Sequence, residues 1–321
     1  MNRIAILLIA LFLAACHDAR RPDAASSARA SSAAQPSLQG DFDNHEQVWQ
    51  ARETNAGAAQ PPHVVITVEA TPQADWSLWR VHLDSTPALD AAWAMRRTAQ
   101  ADGAAALIPH RALVTAPAAA SAFDVQQWTP LDACTLRGTR AASGMHASAD
   151  TAACTAIAPG IGAQAALLPL GIEHDGESLR VRLYSDQARG ADAREDTRQV
   201  RWFTGWAAVN GAGPKAAADS RDWHMDRTLR IGSEGGRFAL KWRDGSAAGY
   251  SLMLERLTYR DRNVPVLKLA VIDDADGRTL AYAWANPEAT RIGINLGWLQ
   301  VGLDRDDVAV AGAEKPVGGN R

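Results

Sequence analysis

The second half of this 321-residue chain repeats a short pattern in which alternate residues are apolar and a turn follows. In residues 237–243, for example, Phe238, Leu240 and Trp242 occupy every second position, and Asp244-Gly245 comes next. A period of two places one set of side chains on one face of a β-strand, and Asp-Gly is typical of a hairpin turn. The repetition therefore predicts a series of consecutive antiparallel strands.

The first half of the chain shows the same alternation in separate stretches. Residues 63–69 are rich in β-branched side chains, and residues 76–83 and 178–185 alternate apolar with polar positions. A long antiparallel sheet must protect its edges, because open edges promote aggregation. We therefore expect a mainly β protein, an antiparallel meander closed into a lipocalin-like (calyx) β-barrel. A two-sheet sandwich is the alternative.

The amino terminus resembles a bacterial lipoprotein signal. Residues 4–13 form an apolar run that follows Arg3 and is too short to cross a bilayer as a helix. Leu13-Ala14-Ala15-Cys16 then has the form of a lipobox, in which the thiol of Cys16 receives a diacylglycerol. Because His17 rather than Asp follows the cysteine, we expect an outer-membrane lipoprotein that faces the periplasm. The lipid bilayer is then a partner of the chain through acylated Cys16.

Composition divides the remaining chain. Residues 1–15 are the predicted signal peptide, and residues 16–39, which hold few bulky apolar side chains, are predicted to be a disordered tether. Residues 40–210 are predicted to form the barrel domain. Residues 211–303 are predicted to be a β-meander extension that completes or flanks the barrel. Residues 304–321 are predicted to be a polar tail.

The cysteines indicate one disulfide bond. If Cys16 carries the lipid, Cys134 and Cys154 are left as an even pair in an exported, oxidising compartment. We therefore predict that these two residues are bonded.

The sequence offers little sign of a catalytic or metal centre. The formal net charge of −3 argues against a nucleic-acid partner. No two of the eight histidines have the spacing of zinc ligands, and no Gly-x-Ser-x-Gly segment is present. We predict no metal site and assign no catalytic residue.

The eleven tryptophans allow two interpretations. They pack in the core, or some of them line a cavity for a flat or apolar ligand. For the second interpretation, Arg80 and Arg256 are candidate partners for a ligand carboxylate. The candidate tryptophans are Trp76, Trp79, Trp202, Trp206, Trp242, Trp284 and Trp298, with Trp79, Trp202 and Trp206 foremost. For either arginine, the alternative is an outward-facing charge.

Three groups of residues resemble the CpcT/CpeT family of chromophore lyases. Residues 40–44 followed by Gln47 resemble its opening G-x-F-x-N-x-x-Q, and Leu131-x-x-Cys134 with the later Cys154 resembles its paired cysteines. The alternating run 179–184 followed by Asp186, Arg189 and Gly190 resembles its downstream strand and turn. The similarity covers about residues 40–210. The P-Y-R-x-R segment of the family has no clear counterpart in this chain, in which residues 93–97 are the nearest match.

This resemblance implies a lipocalin-like barrel that holds an open-chain tetrapyrrole and delivers it to a cysteine of a phycobiliprotein. A lipid-anchored envelope protein would not meet such a cytoplasmic subunit, so we expect a retained calyx with a changed or lost ligand. The first hypothesis is an envelope protein that binds a small apolar or tetrapyrrole-like ligand, with lyase activity only by resemblance. The second is a non-enzymatic structural or assembly lipoprotein that binds another protein. A dry cavity of several hundred Å³ would favour the first, and a filled interior the second.

Overall fold

The computed structural model describes residues 38–54, 60–99, 105–141, 144–259 and 263–309. The predicted signal peptide, Cys16 and residues 17–37 of the predicted tether lie outside these ranges. Among the residues described, no helix has the length and apolar character needed to cross a membrane.

Strands dominate the described chain, and its α-helices are short: α1 (His45–Thr54), α2 (Thr151–Ile157) and α3 (Asp306–Ala309). The strands of the first part are β1 (Gly40–Asp43), β2 (His63–Ala70), β3 (Trp76–Asp84), β4 (Leu89–Ala99), β5 (Ala105–Ala112), β6 (Trp128–Pro130), β7 (Leu136–Ala141), β8 (Gly144–Ser148), β9 (Pro169–His174), β10 (Ser178–Leu183) and β11 (Glu195–Gln199). Those of the second part are β12 (Trp202–Asn210), β13 (Trp223–Gly232), β14 (Glu234–Lys241), β15 (Ala247–Tyr259), β16 (Val264–Asp273), β17 (Thr279–Ala285), β18 (Arg291–Asn295) and β19 (Leu299–Arg305).

The first part forms the closed antiparallel β-barrel that the sequence predicts. Its strands pair in the order β4-β3-β2-β1-β11-β10-β9-β8-β7-β5, and β5 pairs again with β4. Strand β6 adds to β5 outside this ring. The predicted calyx-like barrel is therefore confirmed, with ten strands in the ring and one extra strand.

The alternation in the strands sends apolar side chains into the barrel. In β3, Trp79, Val81 and Leu83 are buried in the core, and in β10 Leu179, Val181 and Leu183 are buried there as well. The segment between β8 and β9 adds more core residues, among them Leu167 and Leu168 at 0% exposure. These side chains fill most of the barrel interior.

The second part forms two four-stranded antiparallel sheets with a core of their own. One sheet has the order β13-β12-β19-β18 and the other β14-β15-β16-β17. Their shared core combines Phe203 and Val301 from the first sheet with Leu254 and Leu269 from the second. The sandwich that was the alternative fold for the whole chain is thus the arrangement of residues 202–305.

Two predicted boundaries differ from the structure. The barrel ends with β11, and β12 belongs to the sandwich because Phe203 and Val209 are buried in the sandwich core. The extension therefore flanks the barrel and begins before residue 210. The predicted polar tail also starts too early: β19 continues to Arg305, where Asp304 accepts a hydrogen bond from Arg291 of β18, and α3 follows. Residues 310–321 lie outside the described ranges.

The structure contains the predicted Cys134–Cys154 disulfide, with the two Cα atoms 4.6 Å apart and a sequence separation of 20. Cys154 lies in α2, which begins at Asp150, whose Oδ1 accepts hydrogen bonds from the backbone N–H groups of Ala152 and Ala153. Both cysteines are fully buried in the barrel core. The bond ties the segment between β8 and β9 to the segment that precedes β7.

Replacing both cysteines (Cys134→Ser with Cys154→Ser) is expected to lower the free energy of unfolding by about 3 kcal/mol, because the unfolded chain gains the entropy of an open loop. Denaturant unfolding with and without reductant measures this. The reductant should lower the midpoint of the unaltered protein and leave that of the double variant unchanged. Equal midpoints for the two oxidised proteins would contradict the prediction.

Candidate functional site

A partly enclosed space lies at one end of the barrel, which we call the mouth. It is a cavity of about 290 Å³ formed where β2 ends, β3 and β8 begin, and β9 ends. Its lining residues are Leu38, Gln39, Ala70, Thr71, Ala74, Asp75, Trp76, Ser77, Met95, Arg97, Leu107, Gly144, Met145 and His174. The chain enters the described structure at this same end, since Leu38 is the first described residue.

The mouth combines an apolar floor with a charged rim. In β4 the inward row runs from Trp93 through Met95 to Arg97, so the row changes from apolar to charged as it reaches solvent. Nη2 of Arg97 lies 3.7 Å from Oδ1 of Asp75, and their side chains are 51% and 66% exposed. Such an exposed pair is weak, so both groups remain available to a ligand.

Below the mouth the barrel is filled by its own side chains. Trp79 and Trp93 are both 0% exposed. The indole N–H of Trp79 donates to Oγ of Ser77 at 3.0 Å, and that of Trp93 donates to the carbonyl of Leu167 at 3.0 Å. The two indoles that could have faced a deep ligand are therefore satisfied by the protein itself.

The sequence-predicted cavity residues are dispersed. Of the candidate tryptophans, Trp76 lines the mouth, whereas Trp79, Trp202 and Trp206 do not, and neither do Arg80 and Arg256. Trp79 is in the barrel core. Arg80 is on the outer surface, where Nε lies 3.1 Å from Oε2 of Glu69. Its Nη2 also donates to the carbonyls of Pro117 and Ala118, so it fastens a loop to the barrel wall.

The two tryptophans of β12 have separate surroundings. Trp202 donates to Oδ2 of Asp41 at 2.9 Å, and the guanidinium of Arg230 lies 3.9 Å from its ring centroid. Trp206 lies against Gly302 of β19, where a Cβ would come within 2.9 Å of its Nε1. Trp202 thus links the sandwich to β1 of the barrel, and Trp206 borders a shallow surface groove of the sandwich beside Ile294.

Arg256 is 3% exposed and joins the sandwich to the barrel. Its Nε donates to Glu234 of β14, and its Nη1 donates to Oε1 of Glu177 in the β9–β10 turn at 2.8 Å. Glu234 also receives Nη2 of Arg198 from β11 at 2.6 Å. Removing one member of a buried ion pair lowers the free energy of unfolding by about 3–5 kcal/mol. We therefore interpret this network as a structural joint between the barrel and the sandwich rather than as a contact for a ligand.

Helix α1 adds a second set of bonds to the joint. Nε2 of His45 lies 3.0 Å from Oε1 of Glu255, whose other oxygen receives Nζ of Lys268 at 3.0 Å. Glu46 accepts from the backbone N–H of Thr258 at 3.0 Å. The helix that follows β1 therefore contacts the barrel on one side and β15 on the other.

The residues that carry the family resemblance meet in one polar cluster, which we call the motif cluster: Asn44, Gln47, Asp186, Arg189 and Glu195. Asn44, Asp186 and Glu195 are buried, whereas Gln47 is half-buried and Arg189 reaches solvent. Asn44 donates to Gln47 at 3.0 Å and to Oε2 of Glu195 at 2.7 Å. Arg189 donates to Oδ1 of Asp186 at 2.7 Å and also to Glu195. The sequence indicated four of these five residues; Glu195 was missed because it lies in a charged run that resembles a solvent-exposed turn.

Two further residues of the same motif have packing and backbone roles. Phe42 is fully buried in the barrel core. Gly40 has φ of +135°, a conformation that favours glycine, and a Cβ there would lie 2.8 Å from Nε2 of Gln199. The contacts of these motif residues thus give them a role in the folding of β1 and α1.

A row of carboxylates and imidazoles crosses the outer surface of β1 to β4. Nε2 of His63 lies 2.9 Å from Oδ1 of Asp43, its Nδ1 lies 3.2 Å from Oδ2 of Asp84, and His82 contacts Asp90 at 2.8 Å. The hydrogen bond to Asp43 raises the pKa of His63. Within the part of the chain that the structure describes, no group of three or more such side chains is arranged to hold a metal ion.

Comparison with models of protein families, with curated proteins and with solved structures gave no match. The similarity to the CpcT/CpeT family remains a prediction from the sequence.

Burial in the motif cluster raises the pKa of Glu195 to about 7, although the neighbouring Arg189 guanidinium acts in the opposite direction. An acid with a higher pKa in the folded state than in the unfolded state loses stability as it ionises. The contribution of Glu195 to the free energy of unfolding is most favourable below about pH 4.5. It decreases as the pH rises to about 7 and stays constant above that pH.

Between pH 4.5 and 7 the free energy of unfolding of the unaltered protein is therefore expected to fall by up to about 3 kcal/mol as Glu195 ionises. Glu195→Gln is expected to remove this fall. Denaturant unfolding of both proteins at several pH values in this interval measures the difference. Glu173→Gln, at a half-exposed carboxylate on β9, is the control and should keep the slope of the unaltered protein. Parallel curves for Glu195→Gln and the unaltered protein would contradict the assignment.

Proposed function

We propose that this protein is a lipid-anchored envelope protein whose barrel binds a small, partly apolar ligand at its mouth. The observation that carries the proposal is the cavity of about 290 Å³, which has Met95, Leu107 and Met145 in its lining and charged residues at its rim. Sites for small molecules are concave, mostly apolar and supplied with a few polar groups that fix the ligand. The lipobox at Cys16 supports an anchor on the outer membrane.

The size of the cavity restricts the ligand. Sites for drug-sized ligands have volumes of roughly 300–1,000 Å³, so this cavity is at the lower end of the range. The filled interior below it leaves no deeper space beside Trp79 and Trp93. An open-chain tetrapyrrole would remain largely outside the cavity, and the proposal therefore does not include chromophore-lyase activity.

Binding of the neutral apolar probe N-phenyl-1-naphthylamine tests this function. Saturable fluorescence enhancement is expected with the unaltered protein. Ala74→Trp, which places a large side chain at the rim, is expected to weaken binding by at least about tenfold. Ala275→Trp, at an exposed turn of the sandwich, is the matched control and should bind normally. Absence of saturable binding to the unaltered protein would overturn the proposal.

The second candidate is a structural or assembly lipoprotein that binds another protein. The filled barrel interior below the mouth favours it, and so does one feature of the sandwich. Tyr282 and Trp284 on the edge strand β17 are 55% and 56% exposed, with ring centroids 5.1 Å apart. Tyr259 lies 5.7 Å from Trp284, and Trp49 of α1 lies 5.4 Å from Tyr259. Exposed aromatic rings of this kind are enriched in protein interfaces.

This candidate predicts that Tyr282→Ser with Trp284→Ser abolishes a specific crosslinked species in membranes without changing the thermal midpoint. Ala74→Trp should leave that species intact, because the mouth is not part of this surface. If the crosslinking pattern is the same for the double variant and the unaltered protein, the second candidate is rejected.

A further inference from the structure

The composition of the mouth identifies a class of ligand, an inference that rests on the proposed function. The apolar part of the lining, which includes Leu38, Met95, Leu107 and Met145, lies on the side of the cavity that faces the barrel core. The charged part is the rim pair, Asp75 and Arg97. A ligand that satisfies both parts has one apolar end and one polar, charged end.

The volume of the cavity limits the apolar end to a single chain. A space of about 290 Å³ holds roughly ten groups of the size of a water molecule or a methylene, at about 30 Å³ each. One medium-length acyl chain fits this space, and the two chains of a bilayer phospholipid do not.

The rim offers both signs of charge within a short distance. Nη2 of Arg97 and Oδ1 of Asp75 are 3.7 Å apart, longer than a good hydrogen bond, and both side chains are more than half exposed. The backbone N–H of Arg97 donates to the carbonyl of Asp75 at 2.7 Å, so the two residues keep their positions. A phosphate would pair with the guanidinium, and an ammonium group would pair with the carboxylate.

The predicted location narrows the source of such a ligand. Cys16 is the predicted site of lipid attachment, so the proposed envelope location brings the protein together with membrane lipids. Among these, the lipids with one acyl chain match the size of the cavity.

We infer that the mouth of the barrel binds a single-chain phospholipid with a zwitterionic head group, a lysophospholipid of the phosphoethanolamine type. Its acyl chain occupies the apolar floor beside Met95 and Met145. Its phosphate contacts Arg97, and its ammonium group contacts Asp75. His174, the other titratable residue in the lining, is 5% exposed and adds a buried polar side chain at the wall of the cavity.

Calorimetric titration with three probes that share a decanoyl chain tests this inference: lysophosphatidylethanolamine, lysophosphatidylglycerol and monodecanoylglycerol, each below its micelle concentration. The zwitterionic probe is expected to bind at least about tenfold more tightly than the neutral one. Arg97→Gln and Asp75→Asn are each expected to weaken binding of the zwitterionic probe by about tenfold. Both side chains are more than half exposed, so both variants should fold normally.

Arg243→Gln is the matched control, because Arg243 is an exposed arginine of the sandwich, 3.9 Å from Asp222, and does not line the mouth. Its affinity for the zwitterionic probe should match that of the unaltered protein. Equal affinity for the neutral and zwitterionic probes would overturn the head-group assignment and leave the proposed function intact. Equal binding of the two charged probes with no effect of Asp75→Asn would overturn the zwitterionic class. Failure of all three probes and of N-phenyl-1-naphthylamine would reject both proposals.

Discussion

The pairing of β5 with β4 is the constraint on which the barrel depends. Without that ladder, which runs from Trp93 opposite Arg111 to Ala99 opposite Ala105, the ten strands would form an open sheet with two unpaired edges. With it, each of the ten strands pairs with a neighbour on both sides, and the inward side chains share one enclosed core. The mouth exists because the strands that surround this core end at the same side, where the inward row of β4 changes from Met95 to Arg97.

The sequence predicted those features of the fold that depend on local alternation. The period of two in β3 and β10 identified the buried side chains, and the count of cysteines identified the disulfide. The position of the domain boundary was not predictable in the same way. The sequence identifies β12 as a further strand, and only its partners, β13 and β19, show that it belongs to the sandwich.

The candidate site was less accessible to sequence reasoning. Tryptophan and arginine were selected by residue type, but burial and pairing decide their roles: Trp79 is core, Arg80 fastens a loop, and Arg256 is held by Glu234 and Glu177. The mouth is lined by segments that are distant in sequence and have no common motif. Glu195 was missed for a related reason, because only the fold brings it beneath Asn44 and Arg189.

The joint between the barrel and the sandwich has a consequence for how this chain can be divided. Only residues 200 and 201 separate β11 from β12, and Arg256 and Glu234 of the sandwich are paired with Glu177 and Arg198 of the barrel. A barrel or a sandwich expressed alone would have unpaired charges on a face that becomes exposed to solvent. The two halves are therefore expected to unfold cooperatively as one body rather than as separable modules.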